Sequence, residues 1–126
     1  MTSSPAPPPG AVSLELTYEK RCPGMAQPRS VDLAATTLTL ADEAGEARLV
    51  QLTPERIAAL AAALKKAGLE RLSSAPGASK EPCTITLHAV IDGVVKDVNE
   101  SPAVAVNDAA AWKAVQKVIE DLAYGG

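Results

Sequence analysis

Residues 53–72, TPERIAALAAALKKAGLERL, carry the clearest folding signal in the chain. They predict one amphipathic helix whose start and end are both marked. Thr53 suits the N-cap because its hydroxyl can accept an amide hydrogen of the first turn, and Pro54 suits the first helical position. Gly68 suits the left-handed position that follows the last turn. An apolar stripe recurs at helical spacing and consists of Ile57, Leu60, Ala61 and Leu64.

This stripe requires an apolar surface to pack on, and the sequence before the helix supplies strands. Burial of each large side chain stabilises by roughly 1.5–3 kcal/mol, which exceeds the contribution of about 1 kcal/mol from a cap. Polar and apolar residues alternate at residues 12–19, which predicts a half-buried strand. A second extended segment follows at residues 31–40, and a connection containing Gly45 leads to a third at residues 47–52.

The sequence after the helix repeats this plan with two strands and a second helix. Residues 83–92, CTITLHAVID, alternate most regularly, and Asp92-Gly93 predicts a type I′ turn into a returning strand at residues 94–99. The final helix is predicted to start at Asn107 or Asp108, either of which can cap it, and to end at Tyr124. Its apolar stripe consists of Trp112, Val115, Val118, Ile119 and Leu122.

The element order predicts an α+β fold, β-β-β-α-β-β-α, with an antiparallel sheet of about five strands and two helices packed on one face. The opposite face of the sheet is expected to be polar and rich in threonine. Residues 11–126 form a single domain in this interpretation, and residues 1–10 form a disordered Pro-rich tail before it. Residues 73–82 are expected to be a loop.

Composition argues against nucleic acid and membranes as partners. The 126 residues carry a formal net charge of −3, without the clustered Lys and Arg or the aromatic residues typical of nucleic-acid binding. No stretch approaches the ~20 apolar residues of a membrane span, and the first residues lack the features of a signal peptide. The chain as written is therefore expected to be cytoplasmic, or periplasmic or secreted if an upstream signal has been removed.

The two cysteines, Cys22 and Cys83, permit one disulfide without arguing for it. They lie far apart in the sequence, and a cytosolic setting would keep them reduced. Cys83 opens a predicted strand, so we interpret it as a small buried apolar residue.

Few residues offer catalytic chemistry. His88 is the single histidine, and Cys22 lies beside Lys20 and Arg21, which could favour its thiolate. A Cys22/His88 enzyme is therefore one hypothesis. The sequence contains no metal-ligand spacing, no phosphate-binding glycine loop and no paired catalytic carboxylates, so we expect no enzyme activity, no metal and no cofactor.

The leading hypothesis is a non-catalytic module that binds another protein through the loop after the first strand. Loops on a rigid scaffold are where binding residues concentrate. The loop at residues 73–82 and the open sheet face are further candidate contact regions. A structural component of a larger assembly is an alternative function. The candidate binding residues are Arg21, Cys22, Pro23, Gly24, Met25 and Gln27.

Three segments carry a resemblance to a known family: LTYEKRC at residues 16–22, the helix at 53–72, and TITLHAVIDGVVKDV at 84–98. Together they resemble emfourin, a small protein inhibitor of thermolysin-type metalloproteases, and related bacterial domains. The resemblance spans residues 12–123 and implies protease inhibition through residues 22–27. Emfourin-like proteins tend to carry a Gly-Gly-Phe-type loop where this chain has Cys22-Pro23-Gly24-Met25, and they lack the hairpin around Ala44-Gly45.

Overall fold

The computed structural model describes residues 13–42, 44–78 and 82–124. Helix α1 (Pro54–Ala67) begins after Thr53, whose hydroxyl accepts a hydrogen bond of 3.2 Å from the backbone N–H of Arg56. The helix ends at Gly68, which has a φ of 107° in the left-handed region. A short 3₁₀ turn, Leu69–Arg71, follows it. Both predicted ends of the helix are therefore confirmed.

Helix α2 (Ala109–Tyr124) is capped by Asp108, one of the two candidates. Its Oδ1 accepts a hydrogen bond of 3.0 Å from the N–H of Ala111. Asn107 has a different task, because its side chain accepts from the N–H of Ser73 and donates to the carbonyl of Arg71, each at 2.8 Å. Asn107 therefore ties the start of α2 to the segment that follows α1.

The described residues form eight strands in two antiparallel sheets. The main sheet has the strand order β4-β3-β2-β1-β6-β7, and a small second sheet pairs β5 with β8. The strands are β1 (Leu14–Arg21), β2 (Arg29–Ala34), β3 (Thr37–Ala41), β4 (Ala47–Gln51), β5 (Ser74–Pro76), β6 (Thr84–Ile91), β7 (Val94–Glu100) and β8 (Val104–Val106).

The strand count differs from the prediction of about five in three places. The second extended segment is a hairpin of two strands, in which Ala34 pairs with Thr37 and Ala35 adopts a φ of 55° at the turn. An alanine rarely adopts this conformation, so the sequence carries no turn signal there. Strand β5 lies in the expected loop at residues 73–82, and β8 forms where only a connector was expected.

The core lies between one face of the main sheet and the two helices. Inward residues on the strands are buried, and the buried stripes of α1 and α2 belong to the same core. Leu60 of α1 and Trp112 of α2 lie in it with exposed fractions of 5% and 2%. The α+β fold with both helices on one face is therefore confirmed. The largest fully buried side chains include Tyr18, Leu16, Leu33, Leu64, Leu87 and Ile119.

The opposite sheet face carries the predicted threonines, which are exposed or half-buried: Thr17, Thr37, Thr39, Thr84 and Thr86. Leu49, Val90 and Val95 also lie on this face. The expected tail at residues 1–10 lies outside the described residues. Neither described helix combines the length and apolarity needed to cross a membrane.

Candidate functional site

The loop at residues 22–28 connects β1 to β2 and contains most of the predicted binding residues. It turns through a hydrogen bond of 3.2 Å from the N–H of Met25 to the carbonyl of Cys22, with Gly24 at a φ of 87°. The N–H of Cys22 also donates to Sδ of Met25 at 3.3 Å. Met25 is therefore half-buried and supports the turn, whereas Pro23, Gly24 and Gln27 are exposed.

A disulfide between Cys22 and Cys83, which the sequence permitted without favouring, fixes this loop to the start of β6. Strands β1 and β6 are antiparallel neighbours, and their last pair at this end is Arg21 with Thr84. Residues 22 and 83 are the next pair in that register, which brings the two sulfur atoms together although they are 61 residues apart in sequence. Sequence reasoning left this pairing open because the order of strands in the sheet was not known.

Three connections meet at this end of the sheet. Gln27 lies beside the β3–β4 hairpin, since a Cβ atom built on Gly45 would lie 3.6 Å from Cγ of Gln27. The carboxylate of Asp42 orders that hairpin by accepting the N–H groups of Ala44 and Glu46 at 3.0 Å each. The third connection enters β6 at this end through Cys83. The exposed side chain of Arg21 and the carboxylates of the hairpin place both signs of charge around the loop.

The structure does not bring Cys22 and His88 together. Cys22 packs against the core at the end of β1, and its sulfur is in the disulfide, so no thiolate is present. His88 lies on the opposite, open face of the sheet, where it pairs with Thr17 of β1. A nucleophilic cysteine with a neighbouring histidine base is therefore not assembled here.

A row of polar side chains crosses the open face and was missed in the sequence. Cross-strand pairing places Asp32, Thr17, His88 and Asp97 side by side on β2, β1, β6 and β7. Nδ1 of His88 donates to Oδ1 of Asp97 at 2.5 Å, and the hydroxyl of Thr17 donates to Asp32 at 3.3 Å. The Asp92-Gly93 turn offered the signal, because a two-residue hairpin places His88 opposite Asp97.

The side chains of this row pair with one another across the strands, which is typical of a polar sheet surface. The hydroxyl of Thr17 donates to Asp32 and is thereby directed away from His88. The side chain of His88 is 48% exposed. In the described part of the chain, no three His, Cys, Asp or Glu side chains are grouped so that they could hold a metal ion.

Comparisons with protein-family models, with curated proteins and with solved structures found no match for this chain.

Proposed function

We propose that this chain is a non-catalytic protein-binding module that contacts its partner through Arg21 and the loop at residues 22–28. One observation carries the proposal: the loop is exposed at its tip, yet it is covalently tied through Cys22 to the start of β6. An exposed loop with one fixed base is a suitable element for recognition on a rigid scaffold.

The disulfide favours binding because it reduces the number of conformations that the free loop can adopt. Ordering a loop during association costs free energy, typically about 0.5–1.5 kcal/mol for each immobilised side chain. The turn from Cys22 to Met25 and the disulfide already order part of the loop in the free protein, so this cost is smaller on binding. Pro23 adds a fixed φ next to the cross-link, which limits the loop further.

The disulfide also bears on where the protein acts. Disulfides persist in secreted and periplasmic proteins and are reduced in the cytosol. We therefore propose that the protein acts outside the reducing cytosol, which agrees with the second of the two locations considered from the sequence. To test this location, the protein is expressed once in the cytosol and once in an oxidising compartment, and the free thiols of each product are titrated.

An assay of protease inhibition is the direct test of function. The resemblance to emfourin selects a thermolysin-type metalloprotease as the first partner, with residual peptide hydrolysis as the measurement. We expect Arg21→Glu and Gln27→Trp each to weaken inhibition about tenfold or more, because both alter the contact surface without touching the core. Lys113→Glu is the matched control, since it reverses an exposed charge on α2.

A photo-crosslinking residue covers the case of a different partner. Placed at Gln27 in cells that produce the protein, it should attach to one dominant protein, and the same residue at Lys113 should not. If wild-type protein inhibits no protease, the inhibitor assignment fails. If crosslinking is equally efficient at both positions, the loop is not the contact surface.

A further inference from the structure

The backbone of β4 presents hydrogen-bonding groups at the edge of the main sheet. Two contacts fix its orientation: the N–H of Leu52 donates to the carbonyl of Thr36 at 2.8 Å, and the N–H of Asp42 donates to the carbonyl of Glu46 at 3.0 Å. In an antiparallel pair, every second residue of a strand directs its N–H and C=O groups toward the neighbouring strand. Counting from Glu46 and Leu52, the backbone groups of Arg48 and Val50 therefore face β3.

The intervening residues Ala47, Leu49 and Gln51 therefore direct their N–H and C=O groups away from β3. Strand β4 is the last strand of the described sheet on this side, so no described strand pairs with these groups. The side chain of Leu49 lies on the open face and is 70% exposed. An edge of this kind is a template for pairing with another extended chain.

On the other face of the sheet, a groove of about 490 Å³ lies beside the same edge. Its walls come from β3, β4 and the two helices, so the helices leave the inner side of β4 partly uncovered. Most of its lining is aliphatic, and its volume lies within the range of pockets that bind small ligands. The aliphatic lining residues include Leu38, Val50, Leu52, Ala59, Leu60, Ala63, Val118 and Leu122.

The charges at the groove favour an acidic partner. Its charged lining residues are Arg48, Arg56 and Asp121. That carboxylate is bound by the ammonium group of Lys117 on the next turn of α2, at 3.1 Å. The charge of Asp121 is therefore met within α2, and Arg56 can bind a carboxylate of the partner, which an arginine recognises with good geometry.

We propose that β4 and this groove bind an extended peptide segment of another protein, which pairs with β4 as an additional strand. Alternate apolar side chains of the segment enter the groove, and an acidic side chain lies near Arg56. Strand addition of this kind draws affinity from backbone hydrogen bonds and specificity from pockets for alternate side chains. The edge is a separate surface from the loop at residues 22–28, so this inference goes beyond the proposed function.

Selection from a phage-displayed library of random dodecapeptides against the oxidised full-length protein tests the proposal. We expect the selected peptides to share apolar residues at alternate positions and one acidic residue. A synthetic peptide of the selected sequence then serves as the probe, with affinity measured by fluorescence anisotropy. Its binding should also protect the amides of Ala47, Leu49 and Gln51 from hydrogen exchange, because these are the donors that face the new strand.

Matched variants separate the two parts of the surface. Leu49→Pro removes one outward donor while leaving the bonds to β3, and Ala59→Trp fills the groove. Each should weaken the probe about tenfold or more. Leu49→Thr retains the donor, and Ala62→Trp adds the same ring at an exposed position of α1 outside the groove, so both controls should retain affinity within about twofold.

Three results would overturn the proposal. The first is a failure to enrich any peptide with the alternating pattern. The second is a selected peptide whose affinity is unchanged by Leu49→Pro and Ala59→Trp. The third is a dimer of the free protein in sedimentation analysis that Leu49→Pro abolishes, since a second copy would then occupy the edge. Variants of the loop at residues 22–28 should leave the probe's affinity unchanged, so failure here is distinct from failure of the proposed function.

Discussion

At the β7 edge of the main sheet, the hydroxyl of Ser74 binds the backbone of Asn99, whereas at the β4 edge the backbone of Leu49 meets no further described strand. The Ser74 hydroxyl donates to the carbonyl of Asn99 and accepts its N–H, both at 2.7 Å. Strand β8 continues this cover through the bridge between Ser101 and Val104. Nothing comparable lies beside β4 in the described chain.

The contrast indicates that the fold can close a sheet edge with its own residues, and the described part of the chain does so at β7. Exposed edges favour association with other chains, and proteins usually cover or charge them. On the β4 side, only Arg48 brings charge to the strand itself, and Leu49 remains exposed. The difference agrees with the proposal that the β4 edge binds a partner. Substitutions at the β4 and β7 edges test this comparison.

Removal of the disulfide should have the largest effect, because the cross-link beside β1 and β6 closes a long loop of the chain. A closed loop of 61 residues limits the unfolded chain, which corresponds to about 4 kcal/mol in the chain-entropy model. The double variant Cys22→Ser, Cys83→Ser should lower the free energy of unfolding by about 2–4 kcal/mol, measured by urea denaturation. Reduction of the wild type is the control and should give a similar loss, while an unchanged midpoint would show that the cross-link is not formed.

Proline substitution tests the orientation of β4. Val50→Pro should lower the free energy of unfolding by about 2–3 kcal/mol, because it removes a donor that faces β3 and its ring crowds the neighbouring strand. Leu49→Pro should cost less than about 1 kcal/mol, since its N–H points away from the sheet. Thermal unfolding of both variants measures the difference. Equal losses would mean that the alternation assigned to β4 is wrong.

Apolar truncation compares packing on the two sides. Val98 in β7 is fully buried, so Val98→Ala should lower the free energy of unfolding by about 2 kcal/mol. Leu49 in β4 is 70% exposed, so Leu49→Ala should change it by less than about 0.5 kcal/mol. Chemical denaturation provides both values. A loss at Leu49 as large as that at Val98 would indicate that the free protein already covers its β4 edge.

A loss smaller than that of Val98→Ala is expected where Ser74 covers the β7 edge. Ser74→Ala removes both bonds to Asn99 and should lower the free energy of unfolding by about 1 kcal/mol. Ser73→Ala is the control, because Ser73 is bound through its backbone N–H and its side chain is exposed. Hydrogen exchange should also become faster at the amide of Asn99. Unchanged exchange there would contradict the assigned role of the hydroxyl.

Local signals were sufficient to predict the helices and the best-marked hairpin. The cap at Thr53, the glycine at residue 68 and the periodic apolar stripes act within a few residues of the chain. The Asp92-Gly93 turn is equally local: both residues have positive φ, at 50° and 83°. Since such a turn fixes the register of its two strands, it also determines that His88 meets Asp97.

Features that depend on distant parts of the chain were not predictable in the same way. The turn at Ala35 lacks the Gly, Asn or Asp that usually marks positive φ. Its conformation is instead imposed by the pairing of β2 with β3 along their whole length. Strands β5 and β8 are three residues each, and only their mutual pairing makes them strands. The candidate loop was found from its composition, but its cross-link depends on β1 and β6 being neighbours.

The position of β4 is the clearest case of this limit. Its sequence, ARLVQ, differs little in character from that of an interior strand, and its place at the end of the sheet depends on the order of all six strands. Both the exposed backbone groups and the adjacent groove follow from that order. Strand order is a property of the whole fold and is not encoded in any single segment.

Trp112 gives this molecule a built-in optical probe. It is the one tryptophan in the chain, it is 2% exposed, and its indole N–H donates to Glu100 at 3.0 Å. Its fluorescence should therefore shift to longer wavelength when α2 leaves the sheet. Because Trp112 does not line the groove, occupation of the β4 edge should leave the emission maximum nearly constant. A single emission spectrum can thus separate loss of the fold from events at that edge, without any added dye.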